Sequence, residues 1–162
     1  MVRVLSVVVL AAFSFSSASA AAPLAATKGP CGAVETRAAA FAFARAWTRG
    51  DVAAVDRLVA PEPHFRWVSA APPGGRSGTQ AFNRAGLVAF ISARHRHHER
   101  LTLTRFKFNG SDLRGDEGFG HFEFEAARVS DDQPANANTV RPGKGAIICT
   151  LAHPMIAVWS LG

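Results

Sequence analysis

The chain has 162 residues, 48% of them hydrophobic, and a formal charge of +6 from 18 Lys and Arg against 12 Asp and Glu. That length suits one domain with a substantial core. The basic excess is scattered arginine, with no run beyond Arg94–Arg100, and it lacks the clustered basic stripe with aromatics that nucleic-acid binding requires, so no nucleic-acid partner is expected.

Residues 1–20 read as a secretory signal. Arg3 gives a positive start, Val4 to Phe15 is nearly all apolar, and Ala18-Ser19-Ala20 is a small-residue cleavage site. The apolar segment is shorter than the roughly 20 residues that span a bilayer, so secretion is expected rather than membrane association. The cleaved chain would reside in the extracellular or periplasmic/cell-wall space. Residues 21–32 are expected to be flexible and 33–162 to form a single domain. The two cysteines, Cys31 and Cys149, are expected to form a disulfide in that oxidising compartment.

From Ala33 a helical period begins, with Ala40, Phe43, Ala44 and Trp47 at i, i+3, i+4 and i+7. Gly50 stops this helix and Asp51 caps a short second one carrying Val52, Val55, Leu58 and Val59. Pro61 and Pro63 end it. Phe65–Ser69 reads as a strand and Ala71–Gly78 as a turn. Thr79 is expected to cap a third helix, whose buried stripe is Phe82, Leu87, Phe90 and Ile91 and continues through Arg94, His95 and His98. Leu101–Phe108 alternates as a strand, and Asn109-Gly110 with the charged residues through Asp116 should turn the chain.

The next strand, Phe119–Arg128, organises the rest. Alternation puts Phe122, Phe124, Ala126 and Arg128 on one face and His121, Glu123 and Glu125 on the other. A polar, mobile loop is expected over Ser130–Pro142. Gly145–Leu151 and Met155–Leu161 then read as two closing strands, with Ile147, Cys149 and Leu151 sharing a face of the first, and Ile156 and Val158 a face of the second.

This order, together with Ala42–Asp51 (AFARAWTRGD), Val55–Pro61 (VDRLVAP) and Arg76–Thr79 (RSGT), resembles the nuclear transport factor 2-like superfamily, including its SnoaL-like and ketosteroid isomerase-like branches. The resemblance implies an α+β fold: a cone-shaped, strongly curved antiparallel sheet wrapped around three helices from the first half of the chain, with a pocket at its open end. It also implies where isomerase groups would lie. The family's tyrosine donor falls on Phe43 and its aspartate base on Trp67, and no Asp or Glu follows Asp132 to supply the second acid. Steroid-isomerase chemistry is therefore excluded. An aromatic lining of Phe43, Trp47, Trp67, Phe90, Phe122 and Phe124 is expected instead.

Some constellations can still carry chemistry. His121 and Glu123 form a candidate acid–base pair in the SnoaL-like manner, and Glu123 with Glu125 has the spacing of an inverting glycosidase's carboxylates. The alternative is a solvent- or dimer-facing strip. Arg128 either reaches the pocket mouth to bind an anionic group or snorkels to the rim. His95 and His98 lie one turn apart, but no third ligand is in sight, so no metal is assigned. Gly75-Arg76-Ser77-Gly78 and Gly143-Lys144-Gly145 read as turns rather than a nucleophile elbow or phosphate loop. The expectation is a secreted, non-catalytic domain binding a small apolar or amphipathic molecule or a partner, without a cofactor. A His–carboxylate enzyme and a module that homodimerises through the sheet are the alternatives.

Overall fold

The computed structural model describes residues 31–70, 78–81, 83–134, 139–149 and 153–162. The expected signal, the flexible stretch up to Pro30, the turn at 71–77, Phe82 and Leu151 lie outside the described residues.

Helix α1 (Ala33–Arg49) buries Ala40, Phe43, Ala44 and Trp47, the stripe its period requires. It ends where Gly50 enters the left-handed region at φ 63° and donates its N–H to the Trp47 carbonyl. A side chain at Gly50 would run into the imidazole of His95, so this turn also lets two helices approach. Asp51 caps α2 (Val52–Leu58) by accepting from the Ala54 N–H at 2.9 Å. Beyond it Val59 bridges to Ile156 and the Ala60 N–H donates to the Ile156 carbonyl.

Strands β1 (Arg66–Ala70) and β2 (Gly78–Ala81) form a hairpin, and α3 (Arg84–Arg96) follows. Thr79 therefore lies on a strand. Asn83 is the α3 cap, accepting from the Gly86 N–H at 2.7 Å. After α3 come β3 (Arg100–Arg114), β4 (Glu117–Val129), β5 (Val140–Ile148) and β6 (Met155–Leu161). The strands make one open sheet in the order β2-β1-β6-β5-β4-β3. Its pairs are antiparallel except β1 with β6, which run the same way. The sheet is thus mixed rather than wholly antiparallel, because β6 returns beside β1 only after the whole β3–β5 meander.

Bulges give the sheet its bend. One extra residue stands in β3 between Leu103 and Arg105, and another between Phe108 and Ser111. Asn109-Gly110, expected as the turn, is this second bulge, with Gly110 at φ 99°. The turn itself lies at Gly115-Asp116, between the paired Arg114 and Glu117. A third irregularity inserts Ala157 into β6 opposite the Ala146–Ile147 step. It puts Ile156 in the main core while Val158 packs with Ile148 and Ala157 in a smaller outer cluster, so Ile156 and Val158 do not share a face.

The helices cover the face bearing Phe122, Phe124, Ala126 and Arg128, and every second residue from Gly118 of β4 to Ser130 just beyond it is buried. Cys31, just before α1, is disulfide-bonded to Cys149, just after β5. Closing a loop of 118 residues contributes at most about 4–5 kcal/mol by restricting the unfolded chain. Cys31 is 2% exposed and so belongs to the core, not to a flexible leader. The described part of the segment after β4 is also held down: the Asp131 N–H donates to the His97 carbonyl, and Ser130 is buried.

Candidate functional site

Two regions bring chemistry-bearing side chains together, one on each face of the sheet.

On the inner face Trp67 of β1 is in register with Trp159 of β6, Trp159 with Gly145 of β5, and Gly145 with Phe122 of β4. The glycines make room for rings. A Cβ on Gly145 would run into the Phe122 ring, and one on Gly143 into the Phe124 ring. Helices α1 and α3 contribute Phe43, Trp47 and Phe90 from above. All six expected lining residues converge, but on one another. Centroid distances are 4.3 Å for Trp67–Phe90, 4.4 Å for Phe124–Trp159 and 4.7 Å for Phe43–Trp159. These rings are at most 9% exposed, Phe90 being the outermost. The anticipated ring-lined hollow is thus filled by its own walls. Two indole groups in it, Trp67 Nε1 and Trp159 Nε1, are buried with no hydrogen-bond partner among the described residues.

Beside the rings lies a buried ionic knot. Glu99, at the α3–β3 junction, is 1% exposed and Arg128 is 0% exposed. Arg128 donates from Nε at 3.1 Å and from Nη2 at 3.0 and 2.9 Å to the Glu99 carboxylate. The same carboxylate accepts from Trp47 Nε1 at 2.9 Å and from Arg94 Nε at 2.6 Å. Arg94 then reaches outward, donating to both oxygens of Asp132 at 2.7 and 2.6 Å and to Ser130 Oγ at 3.0 Å. Burial pushes the Arg128 guanidinium below its ordinary value, and Glu99 pulls it back up. The bidentate bond from Arg94 raises Arg94 and drives the Asp132 carboxyl far below the usual carboxylate range. Arg128 therefore neither reaches a mouth nor snorkels to the rim: it lies inside, ion-paired with Glu99. His97 and His98, in contrast, are exposed, and His98 pairs with Asp131.

On the outer face His121 is not paired with Glu123. Its Nε2 lies 3.0 Å from Asp112 Oδ1, across the β3–β4 hairpin, while Glu123 is 3.8 Å from Lys107 and 57% exposed in its side chain. Arg114 Nε donates to the other Asp112 oxygen at 3.2 Å. The hydrogen bond from His121, then that from Arg114, hold the Asp112 carboxyl below its ordinary value. His121 and Arg114, which Asp112 joins, line an open groove of about 430 Å³ together with His64, Arg66 and Lys144. His121 thus faces away from the helices, on the strip opposite the phenylalanines where alternation puts it, and its partner there is Asp112 and not Glu123. Glu125 pairs with Arg105 at 3.3 Å on the same outer face.

Sequence reasoning missed Asp112, Arg114, Glu99, Arg94 and Asp132 as parts of these clusters. A hairpin turn read at Gly115 would have put Asp112 opposite Phe119, one diagonal step from His121. Nothing local signals the Arg94–Glu99–Arg128 contact.

No family model matches the chain, and no curated protein matches it. Solved structures do. A proposed aromatic-ring hydroxylase from Novosphingobium aromaticivorans aligns over 77% of this chain and 83% of its own, with a TM-score of 0.58 and 16% identity. A proposed dehydratase of the nuclear transport factor 2-like family from Streptomyces avermitilis aligns over 77% and 90%, at 0.57 and 13%. A ketosteroid isomerase-like protein from Erwinia carotovora atroseptica aligns over 79% and 92%, at 0.52 and 14%. Identities this low speak for architecture and not for activity. The alignments do show the architecture: this chain has the nuclear transport factor 2-like fold.

Proposed function

We propose that this is an exported, non-catalytic binding domain whose ligand is a small, largely apolar molecule carrying a hydrogen-bond acceptor, taken up between the sheet and the helices. One observation carries the reading. Trp67 and Trp159, neighbours on parallel strands, each bury an indole N–H without an acceptor among the described residues, at a cost of about 1–3 kcal/mol per group. A carbonyl or ether oxygen placed against them would satisfy a donor, and the surrounding rings would bury the rest of the molecule. Phe90, the outermost ring, packs on both Trp47 and Trp67, so its rotation is the movement that admits a guest.

The acids speak against catalysis. Glu99 is the one buried carboxylate among the described residues, and two arginines and an indole occupy it. Among the described residues no other buried carboxylate stands ready to accept a proton. Export is supported by the signal-like start and the disulfide.

The test is native mass spectrometry of protein secreted by its own host, followed by Trp67→Phe and Trp159→Phe, which keep a ring and remove the N–H. A co-purifying small molecule is expected, bound about 5–10-fold more weakly by each variant, the loss of one neutral hydrogen bond. If both variants change stability while the bound molecule is held as tightly as before, the indoles are not its donors and the reading is wrong.

A further inference from the structure

We infer a second, separate binding site on the outer face of the sheet, built for a small organic carboxylate with an apolar body. The pairing register lays out its floor: Arg66 of β1, Val158 of β6, Ala146 of β5 and His121 of β4 stand in one row across four strands. Three strand spacings make that row about 14 Å long. Its two ends carry long basic or imidazole side chains, and its middle carries small apolar ones, so the row is a trough. Phe119 and Ala157 extend the apolar floor. The adjacent row places Lys144 beside Glu123 in register.

Charge selects the sign of the ligand. Arg66, Arg114 and Lys144 line the groove with two imidazoles, His64 and His121, whereas Glu123 is the one carboxylate in the lining. The nearby acids are turned to other tasks: Asp112 is held by His121 and Arg114, and Glu117 lies 3.4 Å from His64. Glu123 leans toward Lys107. Lys144 is exposed and has no ion-pair partner among the described residues, so its ammonium is the natural seat for the carboxylate. The Asp112 contact to His121 Nε2 fixes the imidazole at the trough's end, with its ring stacked 6.5 Å from that of Phe119, which makes an aromatic wall for the apolar body. A second copy of the chain is the competing occupant of this face, but ion pairs at Arg105–Glu125, Lys107–Glu123 and Arg114–Asp112 crowd it with charge. The core of a stable protein interface is depleted of charged residues.

The site is independent of the Trp67–Trp159 pair, and the experiment keeps the two apart. Disulfide-intact full-length protein is titrated with 2-naphthoate and with its neutral counterpart 2-naphthol, followed by backbone amide NMR and by calorimetry at fixed salt. The expected result is saturable naphthoate binding with shifts centred on His121, Ala146 and Val158, at least about tenfold weaker binding of naphthol, and a loss of about tenfold in Lys144→Gln. Ala146→Leu, which fills the trough while keeping every charge, is expected to weaken naphthoate as well, and Trp67→Phe to leave it unchanged. Equal binding of the two probes, shifts confined to Phe43, Phe124 and Trp159, or a dimer by light scattering that buries the groove would each overturn the inference.

Discussion

Replacing Glu99 by Gln is an isosteric change at the one buried carboxylate among the described residues. The side chain keeps its volume, so packing against Trp47 is preserved. What is lost is the single negative charge shared by Arg94 and Arg128, both 5% exposed or less, together with acceptor capacity for bonds of 2.6–3.1 Å. An amide oxygen can accept some of these bonds, while the amide NH₂ faces donors that it cannot accept from. Removing one partner of a buried ion pair costs about 3–5 kcal/mol, because the other charge is left without compensation. Against a total stability of about 5–15 kcal/mol, that is a large share. Urea denaturation followed by tryptophan fluorescence is the assay. With a slope of about 2 kcal/mol per molar, the midpoint should fall by about 1.5–2.5 M with the slope unchanged. The companion variant Glu99→Leu with Arg128→Met removes both charges and should recover much of that loss. A midpoint shift under about 0.5 M for Glu99→Gln, or a double variant no better than the single, would refute the idea that the knot's cost lies in its uncompensated charge.

The knot has a pH signature. The Asp132 carboxyl sits well below its ordinary value, so its contribution is complete above about pH 4, where the unfolded chain's carboxyl is also ionised, and is lost as pH falls toward the folded value. Acid titration of stability should therefore fall more steeply below about pH 4 in the wild type than in Asp132→Asn, whose curve should be shallower and lower at neutral pH. Gly145→Ala pushes a Cβ to within 2.6 Å of the Val158 carbonyl as well as onto Phe122. Backbone cannot move aside as a ring can, so thermal unfolding should show a loss of about 1–3 kcal/mol, with a smaller one for Gly143→Ala, whose nearest neighbours are atoms of the Phe124 ring.

What the sequence revealed follows from which interactions are local. The stripe of α1, the Gly50-Asp51 break and the alternation of β4 depend on residues within one or two turns of one another, and each stands where its pattern puts it. Errors arose where a local signal fits two structures. Asn109-Gly110 has the chemistry of a tight hairpin turn, but a glycine at positive φ also serves a bulge. Choosing between them depends on what β4 places opposite, which is His121, beyond the reach of a two-residue turn. That slip had chemical consequences: it left Asp112 and Arg114 in a loop, when in the folded chain they stand on β3 beside His121. Ala157 did the same on β6, since one unpaired residue reverses every face after it.

The ionic knot and the filled cone show a different limit. Arg94, His95 and His98 look alike in a sequence as the polar end of a helix, yet the structure buries the arginine and exposes the histidines. The partners that decide this, Glu99, Arg128 and Asp132, come from three later positions that nothing local ties together. Composition likewise cannot say whether six inward rings will line a hollow or close it, because the same residues satisfy both. The packing distances answer that question in favour of closure, and then the two indole N–H groups matter most. Rings that merely filled a core could have been phenylalanine at 67 and 159 with no donor to leave unpaired. Tryptophan at both positions carries a polar cost that the closed arrangement does not relieve, and an acceptor entering from outside would relieve it.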